Sequence, residues 1–458
     1  MLLHKSNRPN LLFILTDQQR YDAVGYNNSI LQTPNISQLA AKSIKCTHAI
    51  VQSPQCQPSR ASLLTGFYPD NINMLWNEMD IDLQYLTLAN ILQDYGYDTG
   101  YFGKLHFQNK NVDRHQLAAR FGFGESFLTE DWLRHINLIQ HEYNCDHIID
   151  YHKAMATGPD RERSKDYIGP WTTKLKSHHL QHEDMVYHKA HQFIKKRSNS
   201  RKPFACFVSF QGPHPPYASP PPYNSMYDDA PLPIPNKIIP TFFGAKLTEA
   251  YWRNIISQYY GSISWIDEYI GKLVSQMCDN DLIVYTSDHG DILGDHGLFS
   301  KGVYTYEGNT RVPLLVKLPN TKSTITYQHI VQLIDLLPTV LTVLDIDLPY
   351  EVDGKDCSKA FLNNVKINDF AISTIGFPKG EPARIYMIRT DKHKLVVNNT
   401  NQQLFDLVLD PKENVNQIGN DEYSETVTNL KKILSSFLQH KLKNQSYYKH
   451  ILTNLVTT

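Results

Sequence analysis

The sequence predicts an α/β fold: a buried, mostly parallel sheet in the larger part of the chain and a smaller α+β domain closing it. Three observations carry that expectation. Residues 11–15, 204–210 and 282–286 are short, almost continuously apolar runs, the pattern of strands covered on both faces. Residues 251–277 place Tyr251, Ile255, Tyr259, Ile263, Ile266, Ile270, Leu273 and Met277 at spacings of three and four, one stripe of a helix. Beyond about residue 365 the chain changes to short alternating segments and one last helical stretch, which reads as a separate, smaller unit.

Composition sets the bounds. The 458 residues are 41% hydrophobic and 20% charged, a globular balance in a chain long enough for more than one domain. Lys and Arg number 45 against 46 Asp and Glu, so nothing calls for a nucleic-acid or membrane partner. The cysteines at 46, 56, 145, 206, 278 and 357 show neither zinc-like pairing nor a dense disulfide spacing, and they read as reduced thiols. The apolar run at 11–15 is too short for a signal peptide and enters Thr16-Asp17 directly; a cytoplasmic protein without a membrane span is the expectation.

In chain order, Asp17 and Gln18 follow the first apolar strand at once. Ligands of open α/β sheets bind beyond the carboxyl ends of strands, although an Asp there also suits a turn or a helix cap. A helix is expected over 33–42. Cys56-Gln57-Pro58-Ser59-Arg60, continuing Ala61-Ser62-Leu63-Leu64-Thr65-Gly66, reads as a loop entering a helix, with Pro58 in the first turn and Gly66 as the stop. Cys56 then sits at or just before a helix N-terminus, which favours an anion, with Arg60 about one turn on. Taken alone, it suits a small buried thiol equally well.

A second helix is expected over 83–95 and a strand over 99–102. Lys104 and His106 lie just past that strand, on one side of an extended chain; solvated surface is the plain alternative. Residues 111–176 are polar and His-rich, and we expect an insertion over one face of the core, a candidate substrate lid. A helix over 180–197 precedes the strand at 204–210, which runs into Gly212-Pro213-His214-Pro215-Pro216. The prolines hold His214 on a stiff loop at a strand end. The strand at 282–286 ends in Ser287-Asp288-His289-Gly290-Asp291, the second place where an apolar strand stops at an acid. Asp17 and Asp288 meet if their strands are neighbours, and Lys301 follows within reach of the same loop. A helix from 334 to 344 and a final one from 424 to 442 complete a division into 1–365 and 366–458.

Together these positions outline a chemistry. Asp17, Asp288 and His289, with Gln18 beside them, suit a divalent cation. Arg60, Lys104, Lys301, His106 and His214 supply positive or proton-donating groups around it. A metal ringed by such donors describes a site for a tetrahedral oxyanion ester, hence a metal-dependent hydrolase of sulfate or phosphate esters.

The Cys56-x-Pro58-Ser59-Arg60 segment followed by Leu64-Thr65-Gly66 resembles the signature of the type I sulfatases. Gly103-Lys104-Leu105-His106, Gly212-Pro213-His214, Ser287-Asp288-His289-Gly290, Gly297 to Lys301 and Leu404-Phe405-Asp406-Leu407 extend the resemblance over nearly the whole chain. It implies an alkaline-phosphatase-like fold: a large mixed sheet between helices, with a small C-terminal sheet and helix. It also implies that Cys56 is converted to formylglycine by a separate maturation enzyme, and that the aldehyde hydrate attacks sulfur. Asp17, Gln18, Asp288, His289 and the modified Cys56 resemble the metal ligands. Arg60 and Lys104 resemble the groups that orient and balance the nucleophile, His106 the base that expels sulfate, and His214 with Lys301 the pair that binds sulfate and assists the leaving oxygen. Gln18 and His289 depart from the arylsulfatase pattern and are similar to choline sulfatases, phosphonate monoester hydrolases and bacterial carbohydrate sulfatases. Calcium is placed first on family grounds, with manganese the alternative. The implied substrate is a small-molecule or glycan sulfate ester. A phosphonate or phosphate ester hydrolase, or a non-catalytic sulfated-glycan binder, are the competing readings.

Overall fold

Leu11, Leu12, Phe13, Ile14 and Leu15 are all buried, and they divide between two apolar layers: Leu11, Phe13 and Leu15 face one, Leu12 and Ile14 the other. That alternation is the period of a strand with helices on both sides. Each such side chain contributes about 1.5–3 kcal/mol when fully covered. The computed structural model describes residues 8–142, 172–235, 248–298, 300–377, 384–398 and 400–441. In it the strands are β1 (Leu11–Asp17), β2 (Ile44–Ile50), β3 (Asp98–Gly103), β4 (Glu125–Leu128), β5 (Thr172–Lys174), β6 (Phe204–Pro213), β7 (Tyr217–Ser219), β8 (Leu282–Ser287), β9 (Arg311–Lys317), β10 (Ile325–Gln332), β11 (Phe370–Ile375), β12 (Ile385–Thr390), β13 (His393–Val397) and β14 (Gln402–Asp406).

Eight of them form one sheet in the order β10-β2-β9-β8-β1-β6-β3-β4. Within it, β9 runs antiparallel to both neighbours, and every other adjacent pair is parallel. The expected mixed, mostly parallel sheet is what forms. Helices Cys56–Thr65, Leu88–Asp94 and Leu336–Val343 cover one face, while Pro34–Ala40, His182–Arg197 and Glu249–Val274 cover the other. Among the described residues no helix is long and apolar enough to cross a membrane.

Three expectations need correction. The helix expected over 83–95 begins only at Leu88, because Thr87 and Asn90 form a reciprocal capping box at its start. The stretch 111–176 is not an irregular insertion throughout. Asp113 caps a helix, Arg114–Arg120; β4 then pairs in parallel with β3 as the edge of the main sheet; a further helix spans Thr129–Glu142. Leu117, Ala118, Phe121, Phe123, Leu128 and Trp132 are buried, so sparse apolar anchors among polar residues were enough to fix regular structure. Residues 143–171 lie outside the described residues. Finally, the long helix Glu249–Val274 stops before Met277 and buries more than one stripe: Trp252, Ile256, Tyr260, Trp265 and Tyr269 are covered as well.

The C-terminal part is a four-stranded antiparallel sheet, β11-β12-β13-β14. One face, through Ile372, Tyr386, Ile388, Leu395 and Leu404, takes Leu430, Leu434 and Leu438 of the helix Ser424–Lys441. The other, through Ala371, Met387, Val396 and Phe405, lies on Ile50 and Ile330 of the large sheet.

Candidate active site

The site is built at the carboxyl ends of two adjacent strands. β1 and β8 are parallel with Thr16 opposite Ser287, so Asp17 and Asp288 leave the sheet side by side. Ligand atoms of Asp17, Cys56, Asp288 and His289 all lie within 4.8 Å of one another, and all four residues are buried. Cys56 Sγ is 3.1 Å from His289 Nε2 and 3.7 Å from Asp17 Oδ1. His289 Nε2 is 3.7 Å from Oδ1 of both Asp17 and Asp288. His289 Nδ1 lies 2.8 Å from the Gly290 carbonyl oxygen, which can only accept, so Nδ1 carries the proton and Nε2 presents its lone pair to the cluster. Gly290 has no room for a side chain, since a Cβ would stand 1.9 Å from the Gly308 carbonyl oxygen.

Cys56 is the first residue of its helix, Pro58 falls in the first turn and Gly66 ends it in the left-handed region at φ 76°. Arg60, one turn on, does not reach for Cys56. It crosses beneath the cluster, where Nε donates to Asp288 Oδ2 at 2.8 Å and Nη2 to Asp17 Oδ2 at 3.1 Å. Nη1 donates to Ser209 Oγ at 2.7 Å and to the Lys104 carbonyl. Lys104 Nζ stands 2.5 Å from Asp17 Oδ2 and 3.8 Å from Cys56 Sγ. Lys104 gets there because Gly103 adopts φ 108° where a Cβ would meet the Ser209 carbonyl oxygen at 1.9 Å. The Oδ2 atoms of both carboxylates are thus taken by cations, while both Oδ1 atoms lie 3.7 Å from His289 Nε2, that of Asp288 also accepting the Gln18 and His289 N–H groups. That donor set, two carboxylate oxygens and one imidazole nitrogen, fits a divalent cation.

Lys301 Nζ completes the ring: 2.7 Å from Cys56 Sγ, 3.2 Å from His214 Nε2, and 3.5 Å from both Gln18 Oε1 and His289 Nε2. His214 Nδ1 is 2.6 Å from the Pro215 carbonyl, which leaves Nε2 to accept from Lys301. Gln18 has φ 70°; its Nε2 donates to Asp291 Oδ2 at 2.6 Å and to Ser300 Oγ at 3.1 Å, which turns Oε1 inward. The extended geometry expected for Lys104 and His106 does not occur, because His106 is left-handed at φ 58°. Its imidazole still lines the same cleft as Cys56, and its Nδ1 is buried with no hydrogen-bond partner among the described residues. All the positions singled out in the sequence therefore converge on one site. Asp291, fully buried, also contributes; it lies at the end of the Ser287–Asp291 segment, and only the folded chain brings its carboxylate to Gln18.

Charge follows from this packing. Burial pushes the Cys56 thiol up, but the Lys104 and Lys301 ammonium groups reverse that and hold it well below its ordinary value. Burial and the Cys56 sulfur push Asp17 up, and Lys104, His214 and Arg60 outweigh them, so its carboxyl stays ionised. Burial, with Lys104 and Lys301 nearby, pushes His214 down to about 4. Cys56, Lys104, His106, His214 and Lys301 open onto a cleft of about 760 Å³. Its outer wall includes Asn77 and Glu78, and also Arg114, Thr129, Glu130 and Leu133 from the segment expected to form a lid.

Fold and site together define a hydrolase of the alkaline phosphatase superfamily, with acids at the ends of parallel strands and a ring of cationic groups. The chain belongs to the sulfatase family: the sulfatase family model matches residues 9–346, and the model for the C-terminal part of N-sulphoglucosamine sulphohydrolase matches 294–440. The ulvan-active sulfatase of Formosa agariphila is 30% identical, over 96% of this chain and 84% of its own. The phosphonate monoester hydrolase of Agrobacterium radiobacter has the same fold, with a TM-score of 0.78 at 22% identity over 95% of this chain and 96% of that one. So does a protein solved with its substrate D-glucosamine-2-N,6-O-disulfate, with a TM-score of 0.74 at 20% identity over 96% and 99%. The protein is a sulfuric ester hydrolase. Its family generally uses a metal ion and a formylglycine, and the acids, imidazole and cysteine gathered here match that need.

Proposed function

We propose that the chain hydrolyses a sulfate ester of a saccharide, with Cys56 matured to formylglycine and with Asp17, Gln18, Asp288 and His289 holding one divalent cation, calcium first and manganese as the alternative. The observation that carries this is the position of Cys56 Sγ, 2.7 Å from Lys301 Nζ, 3.1 Å from His289 Nε2 and 3.7 Å from Asp17 Oδ1. Nucleophile, cation ligands and leaving-group donor meet around that one atom. Cation and formylglycine together supply an oxygen nucleophile beside a polarised sulfate.

The remaining work falls to the chain itself. Arg60 and Lys104 fix the two carboxylates and balance their charge. Lys301 binds a sulfate oxygen and carries the proton that the departing alcohol needs; His214 Nε2 accepts one of its hydrogens and so aims the ammonium. His106, poised against position 56, takes up the proton released when sulfate departs. The net reaction is ester plus water to alcohol plus sulfate, with the S–O bond broken. A saccharide is favoured by the ulvan-active relative and by the structural neighbour solved with D-glucosamine-2-N,6-O-disulfate. It is favoured also by Asn77, Glu78, Gln108 and Gln211 along the cleft, which suit sugar hydroxyls.

The test is expression with and without a formylglycine-generating enzyme, mass spectrometry of the peptide containing residue 56, and sulfate release from a panel of sulfated sugars beside an aryl phosphonate. An aldehyde at 56 that tracks activity, and release from at least one sugar, is the expected outcome. Activity with an unmodified thiol, or turnover confined to the phosphonate, would overturn the reading. Cys56→Ala should lose turnover by at least about 10³-fold and keep its melting temperature.

A further inference from the structure

The C-terminal domain meets the large sheet not only through apolar packing but through one wholly buried ammonium. Lys394, on β13, is fully covered. Its Nζ lies 2.9 Å from Glu307 Oε1, 2.8 Å from Glu413 Oε1 and 3.0 Å from the Thr305 carbonyl. Glu413 Oε2 in turn accepts the backbone N–H of Glu307 at 2.6 Å, and Arg389 on β12 reaches Glu307 at 3.3 Å. A buried ion cluster of this kind is a poor source of stability, but its charge-assisted hydrogen bonds are directional and tie its members to one another.

What it sets is the turn 305–310. Asn309 in that turn is fully buried; its side-chain amide donates to the carbonyls of Lys301 and Tyr304. Its own carbonyl accepts the Gly290 N–H at 2.8 Å. One turn therefore grips the backbone of Lys301 and the backbone next to His289, and β12 and β13 grip that turn. We propose that Lys394, with Glu413, is a positioning residue for the reaction: it acts through the 305–310 turn to hold Lys301 against the leaving oxygen. This rests on the role given to Lys301 above. The C-terminal domain is then part of the catalytic apparatus, although none of its described side chains lines the cleft.

Two measurements on the matured, full-length enzyme test it. Hydrogen exchange is followed in 300–310 and, as an internal reference, in the helix Leu336–Val343. Turnover is followed on 4-nitrophenyl sulfate, a good leaving group, and on an alkyl or sugar sulfate, a poor one. Lys394→Met should raise exchange in 300–310 and leave the reference helix unchanged. It should lower kcat on the poor leaving group by about 10- to 100-fold with a small change in KM, and lower it on the aryl sulfate several-fold less. Combined with Lys301→Ala, it should add almost nothing. Should Lys394→Met fail to fold, Glu413→Gln, which keeps the volume and leaves Lys394 paired to Glu307, should give the same pattern in weaker form. Unchanged exchange in 300–310, or equal losses on both substrates, would overturn the proposal. If Lys301→Ala itself affects both substrates equally, the leaving-group role of Lys301 fails, and the exchange data alone decide whether Lys394 orders the turn.

Discussion

The side-chain amide of Gln18 donates to the buried carboxylate of Asp291 at 2.6 Å. Asp291 is pinned in turn by Tyr217, whose hydroxyl donates to the same oxygen at 2.6 Å, and by the Leu293 N–H at 2.7 Å. With its nitrogen held outward, Gln18 can offer only oxygen to the cation gap. Asp291→Asn would set an amide against these donors. Outer-shell substitutions of this kind typically weaken metal binding by roughly 10–100-fold. We expect the cation concentration for half-maximal activity to rise by that factor, with kcat at saturating cation changed far less, as read from activity against calcium or manganese concentration.

Arg60 joins Asp17 to Asp288 with both residues fully buried. Removing one partner of such a group strands the others, at a cost of about 3–5 kcal/mol. Arg60→Met should therefore lower the stability measured by denaturant titration by about that much, as well as abolish turnover. Arg60→Lys should also fail, because a single ammonium cannot span two carboxylates and Ser209.

Chelation should stop turnover, and adding back calcium or manganese should restore it. A cation that binds only the folded chain adds about 2.7 kcal/mol of stability at one hundred times its dissociation constant. The melting temperature should rise with added cation in the native protein. It should not rise in Asp17→Asn, where the oxygen facing His289 Nε2 loses its charge.

Stability should also depend on pH through a residue away from the cleft. Burial, with Arg389 and Arg311 nearby, pushes His48 on β2 down to about 4. An unfolded histidine titrates near 6.5, so between those values the unfolded chain binds the extra proton and the folded one does not. Stability then rises as pH rises from about 4 to about 6.5 and is lost as it falls. The slope owed to one such group is about 1 kcal/mol per pH unit at most, allowing for its part exposure. His48→Gln should flatten the dependence of urea midpoints over that window and leave the values at pH 7–8 nearly unchanged.

The division between what the sequence disclosed and what it withheld follows the range of the interactions. Strand ends were legible because a two-sided strand must be apolar and must stop being so where it meets a ligand; Asp17 and Asp288 stand at such stops. Cys56 at its helix start was legible from Pro58 and Gly66. The grip of Arg60 on two acids was not, because it depends on β1 and β8 being neighbours, and they are some 270 residues apart in the chain. The structure in 114–142 was hidden for another reason: its buried anchors, such as Leu117 and Trp132, are diluted by exposed polar residues. Lys394 gave no signal at all, since a lysine in an alternating strand reads as its solvated face until the turn at 305–310 is folded over it.

Cys56 is 1% exposed, and the groups enclosing it come from residue 17 at one end of the large domain and residue 301 at the other. If position 56 is matured as we propose, the modifying enzyme needs its β-carbon inside its own active site, and in the folded chain only a sliver of that residue faces the cleft. On the proposed maturation, modification and folding compete in time. On that reading a chain that folds first would keep an unmodified thiol in an otherwise native shell, and a maturation enzyme supplied afterwards would not rescue it without unfolding. The yield of active enzyme should then follow the rate of modification relative to the rate of folding, so raising the maturation enzyme during synthesis should raise specific activity, whereas adding it to already folded protein should not.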